Sequence, residues 1–265
     1  MGKVSISIYT FFKYSEHLGR KDFSESVLKD IRKGRNGYAG WKYKSWLKTS
    51  LDFINKRNTT NIKYPKIKNI DSECKKIINR ELRKVKKFVN QDLFIYVFPI
   101  NDDFIIRKMS GVSGMTINKD TIYLEIYPAK TWKKELANTT IHEITHLITG
   151  YHFNKPCLVG EALIHEGIAE NFRESLLGGK EPFVEALSKE KAMKIFKEIK
   201  SLLNKRDTEN IHNKIFFGTG KYPNWTGYSI GYYLVKRYLN KKFKSKNIDW
   251  NKLLREYPNQ MLLEL

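Results

Sequence analysis

Residues 142–146 read His-Glu-Ile-Thr-His, and that spacing limits what the surrounding chain can be. A helix turns about 100° per residue, so positions i and i+4 share a face. On a helix, His142 and His146 can grip one ion together. Glu143, one residue round, can then reach a water on that ion without being a ligand itself, which fits a zinc hydrolase. At these residue frequencies an HExxH arises by chance in on the order of 1% of chains of this length, so the flanks must carry the decision. Residues 132–149 hold no Gly or Pro, and Leu136, Ile141, Ile144, Leu147 and Ile148 recur at near-helical spacing with Gly150 as a stop.

A chain of 265 residues can build one sizeable core, or two lobes sharing a cleft. One catalytic unit is expected, with a helical and sheet lobe over 1–130 and a helical zinc-site lobe over 131–265. The two cysteines, Cys74 and Cys157, form no CxxC or zinc-knuckle pattern, so they read as reduced thiols of a cytoplasmic protein. The apolar patch near the start is broken by Ser5, Ser7 and Tyr9 and precedes no cleavage pattern, so no signal peptide is expected. No run approaches 18 apolar residues, and no transmembrane segment is expected. The net charge of +21 suggests an anionic partner. Lys greatly outnumbers Arg, the residue preferred for bidentate phosphate and base contacts, and nucleic acid is therefore a partner that is not favoured.

In order, residues 23–33 and 41–56 read as helices separated by the glycine-rich turn Gly34-Arg35-Asn36-Gly37-Tyr38-Ala39-Gly40. Asp71 is placed to cap a helix running to about Asn90, with Cys74, Ile77, Ile78, Leu82 and Val85 on its buried stripe and a basic opposite face. Strands are expected at 93–98, 104–107, 112–117 and 121–127, the last two as a hairpin over Asn118-Lys119-Asp120. Either 110–117 or 121–127 is a candidate edge for an extended peptide. After the HExxH helix come helices over 161–177, from Pro182 to about Asn204, over 227–240 and over 248–256, with 205–225 as a loop.

Two histidines do not hold a catalytic zinc, and the residues leave three candidates for the third ligand. His152 follows His146 by six, but the glycine such spacing needs three residues after the second histidine is Thr149, with Gly150 one place late. Glu166 opens Glu-Gly-Ile-Ala-Glu on the next helix, one turn before Glu170. His165 points about 100° away from Glu166, so only one of those two can face the ion.

HEITH followed by EGIAE resembles the gluzincin clan of zinc metallopeptidases, the thermolysin-like and alanyl-aminopeptidase-like enzymes. That resemblance implies that Glu166 is the third zinc ligand and that Glu170 holds a histidine ligand in its productive tautomer. From about residue 90 the chain is also similar to a bacterial family of predicted zinc-dependent proteases. The shared pieces are Met109-Ser110-Gly111-Val112-Ser113-Gly114, the HExxH helix, EGIAENF and Tyr228-Ser229-Ile230-Gly231-Tyr232-Tyr233. The YxxG shape implies that Tyr228 stabilises the oxyanion.

The expectation is an α+β, zincin-like fold with a small antiparallel-edged sheet and a zinc ion in the cleft between the lobes. His142, His146 and Glu166 would hold Zn2+, and Glu143 would act as general base on a peptide or protein substrate. The alternatives are a DNA-dependent metalloprotease recruiting nucleic acid through the basic helix, and a non-catalytic zinc-stabilised binding protein.

Overall fold

The computed structural model describes residues 4–33, 44–58, 62–152, 155–243, 248–255 and 258–264. The glycine-rich turn at 34–40, Trp41 and the expected end of the last helix at Glu256 lie outside them. The fold is α+β, with one four-stranded sheet in the N-terminal half. Two compact units meet in sequence between Thr140 and Ile141, inside the HExxH helix.

In the first unit, strands β1 (Ile6–Thr10), β2 (Leu93–Pro99), β3 (Val112–Asn118) and β4 (Thr121–Ile126) lie in the order β1-β2-β4-β3. β1 and β4 both run parallel to β2, and only the β3–β4 hairpin at one edge is antiparallel. The Leu93–Pro99 segment is almost continuously apolar because β2 is buried on both faces, as an inner parallel strand must be. β4 pairs on both sides, so of the two segments considered for an extended peptide only β3 lies at a sheet edge. The apolar patch near the start is strand β1, unforeseen because its partner begins at Leu93.

Helices α1 (Phe23–Lys33) and α2 (Lys44–Lys56) cover one sheet face. There Phe23, Val27, Leu47 and Leu51 pack with Tyr96, Phe98 and Tyr123. The next helix, α3 (Ile70–Val85), begins one residue before Asp71, which lies in its first turn rather than at its cap. Lys75, Lys76, Arg80, Arg83 and Lys84 are exposed on it, and buried Glu81 pairs with Arg80 and Lys84.

Residues 104–107 are helical, not extended. The Asp102 carboxylate accepts the Ile105 N–H at 3.0 Å and caps α4 (Asp103–Lys108), and this local bond outweighs the β propensity of Phe104-Ile105-Ile106.

Helix α5 (Trp132–Thr149) has the expected bounds, and Gly150 ends it at φ 73°. In the second unit α6 (Val159–Leu177) is buried at every position from Ala162 to Arg173, which makes it a core helix rather than an amphipathic one. Its start is tied by the Glu161 carboxylate, which accepts the Leu158 N–H at 2.7 Å. Pro182 does not open a helix. Ser188 caps α7 (Lys189–Glu198) instead, and Thr208 caps α8 (Glu209–Phe216) within the expected loop. Helix α9 (Thr226–Phe243) packs along α6, and the short helices α10 (Trp250–Leu253) and α11 (Pro258–Leu263) complete the chain.

Candidate metal centre

The second half of α5 presents His142 and His146 one turn apart, and α6 presents Glu166 towards them. One donor atom from each lies within 4.8 Å of the other two. His142 Nε2 is 2.9 Å from His146 Nε2 and 3.1 Å from Glu166 Oε2, while His146 Nε2 is 3.4 Å from Glu166 Oε1.

The donor set fits zinc. Tetrahedral ligands about 2.0–2.1 Å from the ion stand about 3.3 Å apart, close to all three separations here. Two imidazole lone pairs facing across 2.9 Å repel unless a proton or a cation lies between them. Glu143, Glu166, Glu170 and Glu181 are all buried, against a single buried Lys or Arg among the described residues, Arg173. Buried charge needs compensation, and a dication would supply it.

The surrounding groups set the protonation states. Burial alone would lower the His142 pKa, but hydrogen bonds to the Glu166 and Glu170 carboxylates, and their charges, hold it well above the usual value. Burial would raise Glu166, yet the adjacent His146 and His142 keep it well below the carboxylate range. That attraction marks a place for positive charge, which in the metal-free chain is a proton. Glu170 Oε1 accepts from His142 Nδ1 at 2.6 Å, so the Nε2 lone pair is the one turned to the site. His146 has no such partner: its Nδ1 is buried and unbonded, and its ring meets the edge of Tyr151 at 4.9 Å.

Of the other sequence candidates, His152 and His165 are not part of this cluster. His165 stacks on Tyr151 at 4.5 Å, with Nδ1 3.2 Å from Thr149 Oγ1. Burial and the His146 charge push its pKa down to about 3, so it stays neutral. The left-handed Gly150 makes this packing accessible, because it turns the chain so that the Tyr151 N–H reaches the His146 carbonyl at 2.9 Å.

Tyr228 stands in the first turn of α9, its ring set between Phe183, Phe216 and Trp225 at 5.2, 5.3 and 5.6 Å. Burial, with the carboxylates of Glu166, Glu143 and Glu170, keeps its phenol protonated far above the usual range. A neutral phenol among carboxylates is a hydrogen-bond donor.

Sequence reasoning passed over Tyr151, Arg173 and the Asp207–His212 pair. His212 Nδ1 donates to Asp207 at 2.8 Å, and its ring stacks on Phe216 at 4.3 Å. For Arg173 a signal was present, since it follows Glu170 by three and faces the same way on a helix.

Fold and site together define an α+β protein in which a helix-borne pair of histidines and a carboxylate lie close enough to hold one cation. The chain belongs to the family described as Predicted Zn-dependent protease (DUF2268), whose model matches residues 74–254, from α3 to the end of α10. No curated protein and no solved structure matches the chain. Among the described residues no helix is long and apolar enough to cross a membrane.

Proposed function

We propose that the protein is a zinc-dependent peptidase of the gluzincin type, in which His142, His146 and Glu166 bind the ion. The observation that carries this reading is the convergence of those three donors beside Glu143, on a helix pair whose other buried groups favour a cation. Zinc supplies Lewis acidity, which makes a water nucleophilic at neutral pH and polarises a carbonyl. Glu143 takes the proton of the attacking water and delivers it to the leaving amine. The Tyr228 hydroxyl donates to the peptide carbonyl oxygen as it gains charge. Glu170 keeps His142 turned to the ion. The family description supports the coarse reading, a zinc protease acting on peptide bonds.

The test is zinc content by elemental analysis, with turnover of a peptide library, on untagged wild type, Glu166→Ala, His152→Ala and Glu143→Gln. Wild type and His152→Ala should carry about one zinc per chain and cleave. Glu166→Ala should lose both properties, and Glu143→Gln should keep the metal without turnover. Zinc retained in Glu166→Ala, or full activity in Glu143→Gln, would overturn the assignment.

A further inference from the structure

We infer that Arg173 is a positioning residue for the metal centre, acting on His142 through Glu170; this rests on the reading of His142 as a metal ligand. Arg173 is among the largest fully buried side chains, with its side chain 1% exposed. Its Nε donates to Glu170 Oε2 at 3.0 Å, and Glu170 Oε1 accepts from His142 Nδ1 at 2.6 Å. The two oxygens of one carboxylate are thus divided between the arginine and the histidine.

The rest of the guanidinium is anchored where α6 ends. Nη1 donates to the Gly178 carbonyl at 3.3 Å and Nη2 to the Gly179 carbonyl at 3.0 Å, with Glu181 Oε1 3.7 Å from Nη1. Gly178 and Gly179 both have positive φ, 71° and 63°, in a turn that presents two successive carbonyls to one planar donor fork. Lysine could meet only part of this set, because a single ammonium cannot span a carboxylate and two carbonyls with fixed directions.

A merely structural cap would not need the carboxylate, and a merely charge-balancing cation would not need the turn. Arg173 joins the two, so the position of Glu170 is set by the end of α6 as well as by its own helical turn. His142 inherits that constraint, whereas His146 is held by the Tyr151 ring and has no polar partner on Nδ1. Without the guanidinium, the Glu170 carboxylate is free to rotate off the His142 N–H, and the lone pair facing the site loses its fixed direction.

The test measures zinc affinity by competition with a chromophoric chelator, and the visible absorption of the Co2+-loaded chain. The full-length variants are Arg173→Met, Arg173→Lys, Glu170→Gln, Glu170→Gln with Arg173→Met, and His142→Ala, each checked for folding by circular dichroism. Arg173→Met should weaken zinc about 10- to 100-fold and shift the Co2+ bands, with Arg173→Lys between it and wild type. In the Glu170→Gln background, adding Arg173→Met should cost less than about twofold further, because the route to His142 is already cut.

Wild-type affinity and spectrum in Arg173→Met, or its full loss repeated in the Glu170→Gln background, would overturn the inference. If Arg173→Met does not fold, Arg173→Lys alone and with Glu170→Gln gives the same decision. Zinc bound by His142→Ala as tightly as by wild type would instead overturn the ligand reading itself.

Discussion

Gly167 of α6 and Gly231 of α9 face one another where no side chain fits. A Cβ on Gly167 would overlap the Gly231 carbonyl, and one on Gly231 would overlap the Leu163 carbonyl. This contact sets the spacing of the two helices one residue after Glu166 and one turn after Tyr228. The glycine of the YxxG segment thereby has a packing reason to be there.

Gly231→Ala should therefore cost about 1–3 kcal/mol, since neither backbone can give way without separating the helices. Thermal unfolding followed by circular dichroism reads the loss. An alanine variant as stable as wild type would show that the helices part easily, and the contact would not position Tyr228.

Tyr228→Phe removes one hydroxyl and keeps the ring packed among Phe183, Phe216 and Trp225. Zinc content and thermal stability should stay near wild type, while kcat falls about 100-fold with KM little changed. A variant with unchanged kcat would remove Tyr228 from the chemistry.

Stripping the metal should leave a folded, inactive chain, because α6 is enclosed by apolar contacts that do not involve the ion. Zinc added back at a thousandfold over its Kd should raise stability by about 4 kcal/mol, read as a shift in Tm. Collapse of the helical circular dichroism signal on chelation would favour a zinc-stabilised binding protein over an enzyme.

Burial holds the Cys74 thiol and the Tyr96 and Tyr123 phenols neutral, each with a pKa above its ordinary value. The unfolded chain then gives up these protons first. Their contribution to stability is complete below the unfolded values, about 8.5 for thiol and about 10 for phenol, and is lost as pH climbs from there through the folded values. Burial pushes the Cys157 thiol up as well, so Cys74→Ala combined with Cys157→Ala should move the onset of alkaline unfolding from about pH 8.5 towards the phenol range, measured as Tm against pH. An onset that does not move would assign the alkaline loss to other groups.

The path from sequence to site is uneven, for physical reasons visible in particular residues. Helix α5 and the facing of His142 and His146 follow from local periodicity, since partners four residues apart share a turn whatever the rest of the chain does. Glu166 was different. Nineteen residues separate it from His146, and spacing alone left it level with His152 and His165; only the resemblance carried by EGIAE singled it out. The segment 104–107 was misread because an Asp102 side-chain bond outweighed β propensity, and β1 was missed because its pairing with β2 spans most of the first unit.

What the sequence determined by itself was the helix that carries two histidines and a glutamate, the burial of β2 as a continuous apolar run, and the hairpin of β3 and β4. Each rests on interactions between residues a few positions apart. Only the tertiary structure brought the Glu166 carboxylate within reach of both histidines, and decided that Gly167 meets Gly231 and that Arg173 is buried behind Glu170. Those outcomes depend on how α5, α6 and α9 pack, and packing is a sum over many distant contacts that no local window of sequence contains.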